Sequence, residues 1–490
     1  MNSGRRIAAA LLLAFVTGAV QAAAMDFEEA RLLLNRTGFG ATPQEIAVFA
    51  RLSRGDAVEK LLRGTNSVAR TPAPEWAGDY VRPGRMRGAS EEERKAMQRQ
   101  QFERAVELRG WWLAEMLATP TPLTERMTLF WHGHFASSLQ KVKASKLMYQ
   151  QNLMLRRHAL GNFGELLHAV AKDPAMIVYL DAATNRRGQP NENFAREVME
   201  LFTLGEGNYS EQDIREAARA YTGWSIEPET GEFRWRPFAH DNEPKTVLGQ
   251  SGNFDGDGVL DILLGQPATA QFIAAKLWRE FVSPEPRNAE ERRELARIAK
   301  RFRDSGYEVK AALRELLLSS AFYAPENRAA LVKSPVDLVV GTLRQFEVGV
   351  GDPLPFTLAV TQLGQNLFAP PNVKGWPGGD AWINSTTLLA RKQFLERLLH
   401  MSDMTNMRMN DLGKVPGAGR MGMEGRERFA RAVADVRMDS SAWFGRLQTA
   451  TGAAPQRILL AGEPASPLPG GMPERELLRA LLLDPMYQLK

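Results

Sequence analysis

The sequence predicts a mainly α-helical protein with one small β-hairpin or flap near residues 226–248. Apolar residues recur at helical spacing along most of the chain, and residues that start or stop helices bracket those segments. Strand-like alternation is confined to one short stretch. Of the 490 residues, 44% are apolar and 24% are charged, which is typical of a globular protein with a large buried core.

Residues 1–24 have the pattern of a secretory signal peptide that is removed on export. The basic opening MNSGRR precedes an apolar run, IAAALLLAFVTGAV, and small residues follow in QAAA. That run is shorter than the roughly 20 residues that span a bilayer. We therefore expect a large multi-helix exported protein, periplasmic or secreted, with no integral membrane segment. Arg5 and Arg6 do not distinguish general secretory from twin-arginine export.

Composition excludes several classes of function. The chain has no cysteine, so disulfides, thiolate catalysis and cysteine-ligated zinc or iron–sulfur centres are excluded. The formal net charge of +5 falls by two when Arg5 and Arg6 leave with the signal. Basic residues are interleaved with acidic ones instead of forming one stripe, and together with export this argues against a nucleic-acid partner.

Helix signals are dense between residues 120 and 223. Thr121 suits the start of a helix that Gly133 would end, and two further helices follow in KLMYQQNLMLRRHALG and NFGELLHAVAKDP. Asn191 suits the cap of the next helix, NENFAREVMELFTLG. Ser210 and Asp213 have the spacing of a capping box for another.

The remaining segments complete the organisation. EFRWRPF alternates aromatic residues with arginines after the turn-like ETGE and predicts the flap. We divide the mature chain into an N-terminal helical region with a polar cleft and the flap (25–260), a helical region (261–400), and a Met/Gly-rich loop with C-terminal helices (401–490), packed as one unit. The polar loop is expected over 401–427.

His132 and His134 lie one residue apart in FWHGHFA. At about 100° per residue, a helix directs their rings to opposite sides, so it cannot aim both at one metal ion. Joint ligation would need an extended backbone at Gly133, and zinc would need further ligands. The pattern favours His134 as a hydrogen-bonded core or pocket residue and His132 as a rim residue.

A second candidate is the acidic face of the helix in NENFAREVMELFTLG. Asn193, Glu197 and Glu200 share one face, which is how helical proteins present carboxylates to a metal or substrate. The same spacing is found on a solvated helix with ordinary glutamate–arginine pairs. Taken alone, the pattern favours the solvated face.

His240 and Asp241, in FAHDNEPK, follow the flap and have the chemistry to polarise a water or hold an anion, although turn chemistry is favoured. Convergence of His134, Glu197, Glu200 and His240 in one cleft would make a hydrolase that uses a divalent metal the leading hypothesis.

Two other stretches carry competing interpretations. NFDGDGVLDILL resembles a calcium loop with Asp255, Asp257 and Asp261 as ligands, but leucine replaces the final bidentate glutamate, which favours an acidic turn that caps a helix. PPNVKGWPGGDAW carries Trp376 and Trp382. Exposed, they would stack on sugar rings; buried, they would pin the loop to the helices, which is the favoured interpretation.

Several long motifs occur here in one order: RLLLNRTGFGATPQEI, FWHGHFA, DPAMIVYLD, NENFAREVMELFTLG, AARAYTGW, HDNEPKTVLG and LFAPPNVKGWPGGDAWINSTTLLAR. On these motifs the chain resembles the exported bacterial family catalogued as domain of unknown function 1800, over nearly the whole mature chain. The resemblance implies no established activity for particular residues. It does imply a co-exported partner, because members are often encoded beside a second exported family that resembles sulfatases and alkaline phosphatases.

Two classes of function follow. The first is a binding or accessory protein that acts with a co-exported, sulfatase-like partner, and the lack of a recognisable catalytic set favours it. The alternative is a metal-dependent hydrolase that uses the histidines and glutamates of the 130–241 segment.

Overall fold

The computed structural model describes residues 23–80, 89–401 and 423–490. Over these ranges the protein is mainly α-helical, with two small antiparallel sheets, and this confirms the predicted fold class. The signal-like segment up to residue 22 and residues 402–422 of the expected Met/Gly-rich loop lie outside the described residues. The loop was expected to extend to residue 427, but a helix begins at Met423, so its last residues are helical.

The first part of the chain is a series of helices with polar residues at their starts. Thr42 and Ser90 form capping boxes with Glu45 and Glu93, which satisfies backbone N–H groups that have no partner inside the helix. The helices are α1 (Phe27–Thr37), α2 (Pro43–Phe49), α3 (Arg54–Arg63), α4 (Glu91–Ala118), α5 (Pro122–His134), α6 (Leu139–Val142), α7 (Ser145–His158), α8 (Phe163–Ala171) and α9 (Pro174–Tyr179).

The acidic motif forms α10 (Glu192–Glu197) and continues without a break as a π-helix over Val198–Thr203. Single π-helical turns within helices are rare and are frequent at functional sites. The next helix, α11 (Glu211–Ala220), begins at the predicted capping box of Ser210 and Asp213.

The β structure consists of two hairpins where the sequence predicted one. In the first, β1 (Trp224–Ile226) pairs with β2 (Phe233–Trp235), as expected for the flap. In the second, β3 (Lys245–Val247) pairs with β4 (Gln250–Gly252). Leu248 and Gly249 both have positive φ, which is the geometry of a tight hairpin turn. Leucine rarely adopts that conformation, so Leu248 did not indicate a turn at this position.

The rest of the chain is again helical. Its helices are α12 (Gly256–Gly265), α13 (Pro267–Phe281), α14 (Ala289–Asp304), α15 (Val309–Leu317), α16 (Ser320–Tyr323), α17 (Pro335–Gln345), α18 (Leu354–Gln362), α19 (Ser385–Met401), α20 (Met423–Ala434), α21 (Ser440–Thr451), α22 (Pro455–Leu459) and α23 (Glu474–Leu483). Short 3₁₀ turns occupy Glu75–Gly78, Ala182–Thr184, Pro237–Ala239, Pro325–Asn327, Gly379–Trp382 and Pro485–Gln488.

One hydrophobic cluster runs through the fold from Met25 to Tyr487. Helix α5 passes through it, and even its charged residues are buried. Glu125 accepts hydrogen bonds from Arg156 on α7 at 2.6 and 2.9 Å and from the indole of Trp112 at 2.8 Å. None of the described helices combines the length and the apolar character that crossing a bilayer requires.

Arg126, the next residue of α5, pairs with Asp337 on α17 and lies 3.3 Å from Glu280 on α13. Asp337 also accepts from the Lys490 amine at 2.7 Å. Burial alone would raise the pKa of Asp337, but the charges of Arg126 and Lys490 outweigh it and hold that pKa well below its usual value. These contacts fix α5 against α13 and α17.

Replacement of Asp337 by asparagine should lower the free energy of unfolding by about 3–5 kcal/mol, because Arg126 and Lys490 would stay buried without their counter-charge. Urea denaturation at pH 7 measures the change. As control, Asp304→Asn removes an exposed carboxylate paired with Lys300 and should cost less than about 1 kcal/mol.

The same ion pair predicts a pH dependence. Because the folded-state pKa of Asp337 lies below the unfolded value of about 3.9, its contribution is complete above that pH and is lost as the pH falls further. The stability difference between the wild type and the Asp337→Asn variant should therefore narrow below about pH 4. A difference that stays constant down to pH 2 would contradict an ionised Asp337.

Candidate functional site

A cavity of about 850 Å³ lies between α5, α13, residues 330–337 and residues 371–382. We call residues 371–382, PPNVKGWPGGDAW without its first proline, the Trp loop. The volume of the cavity is within the range of about 300–1,000 Å³ that is usual for small-molecule sites. The wall mixes aromatic, cationic, acidic and amide side chains, so it offers a ligand both apolar surface and charged groups.

The Trp loop is held against the end of α5 by two glycines. Gly375 has a φ of +83°, and a Cβ atom there would lie only 2.2 Å from the carbonyl oxygen of Gly133. The main chains of loop and helix are therefore in direct contact, which only glycine allows. The ring of Trp376 then packs against Gly133 and lies 5.5 Å from the His132 ring, centroid to centroid. Trp382 is 7% exposed. These contacts agree with the loop-pinning interpretation.

His132 is a core residue, and its expected position at the rim is wrong. It is 1% exposed, and its ring lies 5.4 Å from the rings of both Trp112 and Phe368. Within the described ranges neither ring nitrogen has a hydrogen-bond partner. Burial lowers the pKa of His132 to about 3, so the ring is neutral.

His134 is the pocket residue that the sequence favoured. Its Nε2 lies 3.1 Å from the carbonyl oxygen of Phe202, at the end of the π-helix. A carbonyl only accepts, so Nε2 carries the proton. Burial, and then the charge of Lys276, lower the pKa of His134 well below its usual value. Since His132 points into the aromatic core, the two histidines do not share an ion.

The acidic face of α10 lies beside the Trp loop and not on the cavity wall. Burial and the neighbouring Glu200 raise the pKa of Glu197, whereas Lys374 of the Trp loop acts in the opposite direction. Glu200 accepts a hydrogen bond from the Tyr209 hydroxyl at 2.9 Å. Asn193 donates to the carbonyl oxygen of Leu180 at 3.1 Å. The face is therefore partly buried, contrary to the solvated face that was favoured.

The sequence favoured turn chemistry at His240 and Asp241. Asp241 does accept a hydrogen bond from the Glu243 N–H at 2.9 Å, but the His240 ring and the Asp241 carboxylate also contact residues distant in sequence. The Nδ1 atom of His240 lies 2.9 Å from the carbonyl oxygen of Thr222. Asp241 accepts two hydrogen bonds from Arg219, at 2.8 and 3.2 Å, and these bonds lower its pKa. Neither residue lines the cavity, so the convergence that a hydrolase site would require is not formed.

The calcium-like stretch has protein partners for its carboxylates. Asp255 caps α12 by accepting from the Gly258 N–H. His168 lies between the other two, 2.9 Å from Asp257 and 3.1 Å from Asp261. Across residues 23–80, 89–401 and 423–490, no three His, Asp or Glu side chains are grouped as in a metal centre. The calcium site therefore stays a prediction without geometric support.

Two cations on α13 line the cavity, and the sequence analysis did not find them. Lys276 lies 3.4 Å from the carbonyl oxygen of Leu201 and 4.8 Å from the centre of the Phe272 ring. Arg279, one helical turn later, donates to the carbonyl oxygen of Pro284 at 3.3 Å. In the part of the chain that the structure describes, neither cation has a carboxylate partner. Their K-x-x-R spacing was the available signal.

Burial, and then the charge of Arg279, lower the pKa of Lys276 to about 8. A partly buried ammonium without a carboxylate partner is destabilising, because the Leu201 carbonyl and the Phe272 ring replace only part of the hydration that it loses. The cavity therefore carries two cations at this wall that no carboxylate of the described residues contacts. The deeper charges differ, since Arg126 and Lys490 share Asp337.

A protein-family model described as "Protein of unknown function (DUF1800)" matches residues 32–489, so the chain belongs to this family, as its motifs predicted. No curated protein and no solved structure matches the chain.

The Lys276→Met variant should unfold at a higher urea concentration than the wild type at pH 7 in chloride buffer, by on the order of 1 kcal/mol in free energy. The cost of burying the charged amine is complete below the folded pKa of about 8. It disappears as the pH approaches the unfolded value of about 10.4. The gain should therefore shrink between pH 7 and pH 10.

The exposed Lys300→Met variant is the control and should show no such pH-dependent gain. Destabilisation by Lys276→Met at pH 7 would contradict a net cost of burying this charge and would mean that the ammonium has a stabilising partner.

Proposed function

We propose that this member of the DUF1800 family is a binding protein that holds a small organic anion in the cavity between α5, α13 and the Trp loop. The observation that carries the proposal is the pair of Lys276 and Arg279 on the cavity wall, without a carboxylate partner among the described residues. An anion bound there would supply the missing counter-charge.

The chemistry of the two side chains supports this ligand class. Arg279 presents a planar guanidinium whose N–H groups match two oxygens of a carboxylate, phosphate or sulfate. Lys276 adds a partly desolvated ammonium one turn away on the same helix. Hydrogen bonds to charged groups are stronger in a pocket that excludes part of the water. Binding would therefore be favoured at this wall over the open surface.

The hydrolase alternative has less support. It needs several histidine or carboxylate side chains directed at one point. His134 is bonded to the Phe202 carbonyl, Glu200 to Tyr209, and Asp241 to Arg219, so the predicted ligands have separate partners. A binding role requires no such convergence.

Export and a partner are part of the proposal. The signal-like start of the chain supports a periplasmic or secreted protein. The family resemblance supports a co-exported partner of the sulfatase or alkaline phosphatase kind. Since enzymes of that kind act on sulfate or phosphate esters, an anion-binding accessory protein would be a suitable companion.

Titration with sodium sulfate, sodium phosphate and sodium succinate, at constant ionic strength set with sodium chloride, tests the anion site. At least one of them should raise the midpoint of thermal unfolding by a few degrees at saturation, because a ligand that binds only the folded state stabilises it. The Lys276→Met/Arg279→Met double variant should lose this response.

A matched double variant on other surfaces, Arg293→Met on α14 and Lys392→Met on α19, removes the same charge from exposed positions and should keep the response. If the anions shifted the unfolding midpoint equally in both double variants, the effect would depend on net charge alone and the site would be refuted. The absence of any response in the wild type would refute it as well.

Export has its own test. Expression of the full chain in a bacterial host should give a mature protein in the periplasm or medium whose N-terminus lies near Ala22 or Ala24. N-terminal sequencing of the purified protein identifies that residue. Retention of an intact Met1 in the cytoplasm would contradict export.

A further inference from the structure

We infer that the anion bound in the cavity is an acidic saccharide, a sugar ring that carries a carboxylate, sulfate or phosphate group. This inference rests on the proposed function and deepens it by assigning a role to other residues that line the cavity. These include the Trp loop and Gln365, which follows α18.

Gln365 offers a hydrogen-bond donor at the cavity. The residue is 4% exposed and lines the cavity, and its Oε1 accepts from the backbone N–H of Val336 at 3.0 Å. That bond fixes the orientation of the amide, so its NH₂ group is the part that is left to bind a ligand. Within the described ranges this group has no acceptor. The NH₂ group is not fully enclosed by protein, so a ligand hydroxyl in the cavity can accept a hydrogen bond from it.

Asp380 and Glu285 offer acceptors at the same cavity. Both are exposed and line it, and neither carboxylate has a hydrogen-bond or ion-pair partner among the described residues. A simple anion such as sulfate can contact Lys276 and Arg279, but it has no donor for these carboxylates and leaves them without a partner. A sugar hydroxyl both donates and accepts, so it can satisfy Asp380, Glu285 and Gln365 while the acidic group faces α13.

Trp376 adds an aromatic surface. One side of its ring packs on Gly133 beside His132, and the residue is partly exposed where it lines the cavity. A pinned ring presents a flat apolar surface at a low cost in conformational entropy. Sugar rings have apolar C–H faces as well as hydroxyls, so they can contact an aromatic face and carboxylates together. The cavity of about 850 Å³ leaves space for more than one sugar ring.

Calorimetric titration with three groups of probes separates the two parts of the ligand. Glucuronate and galacturonate carry both hydroxyls and a carboxylate, glucose and galactose carry hydroxyls without charge, and cyclohexanecarboxylate carries the charge on an apolar ring. At equal ionic strength, at least one uronate should bind tenfold or more tightly than its neutral sugar and than cyclohexanecarboxylate.

Variants test which residues of the cavity contact the acidic group of the ligand and which contact its hydroxyls. Lys276→Met/Arg279→Met should remove the preference of the protein for the uronate over the neutral sugar. Asp380→Ala should lower the affinity ratio of the uronate to cyclohexanecarboxylate about threefold or more, since only the hydroxyls contact Asp380. Asp304→Ala, an exposed carboxylate on α14, is the matched control and should leave both ratios unchanged.

The outcomes distinguish this inference from the proposed function. Equal affinities for the uronates and cyclohexanecarboxylate would overturn the saccharide and leave the anion site standing. Equal affinities for the uronates and their neutral sugars would overturn the anionic requirement. No binding of any uronate would overturn the saccharide, and the titrations with sulfate, phosphate and succinate would then decide the anion site alone.

Discussion

The buried ion pair of Arg126 with Asp337 is the interaction on which the arrangement of the cavity depends. Consecutive residues of α5, Glu125 and Arg126, are both buried and pair in different directions, with Arg156 on α7 and with Asp337 on α17. Because both ion pairs are desolvated, each is costly to break. Helix α5 can therefore neither rotate nor slide without leaving a buried charge unpaired. Its last turn, which carries Gly133 and His134, is thereby fixed in place.

The cavity is built where three constrained segments meet. The end of α5 contacts the main chain of the Trp loop, and His134 bonds to the end of the π-helix. Elsewhere in the interior, arginines are neutralised or hydrogen-bonded, as Arg36 is by the carbonyl oxygens of Phe281, Val282 and Asn327. Lys276 and Arg279 likewise contact carbonyl oxygens and have no carboxylate partner among the described residues, but they differ from Arg36 in lining the cavity. An anion that enters the cavity can therefore reach both of them.

The sequence predicted what depends on neighbours along the chain. The capping box at Ser210 and Asp213, the turn at Asp241 and the cap at Asp255 are local, and all of them form. His132 was misplaced because its burial depends on Trp112 and Phe368, which are distant in sequence. Lys276 and Arg279 were missed because cations on one helical face are usually solvated. Whether a counter-charge is present is a property of the assembled fold.

The glycine-to-glycine contact at the rim has a consequence for recognition. Because the Gly375 and Gly133 main chains are in contact, the loop has no room for a hinge at that point. The opening of the cavity is therefore a preformed site and does not act as a lid. A preformed site loses little conformational entropy when a ligand binds, so its selectivity is set by the shape and charge that are already present in the ligand-free protein.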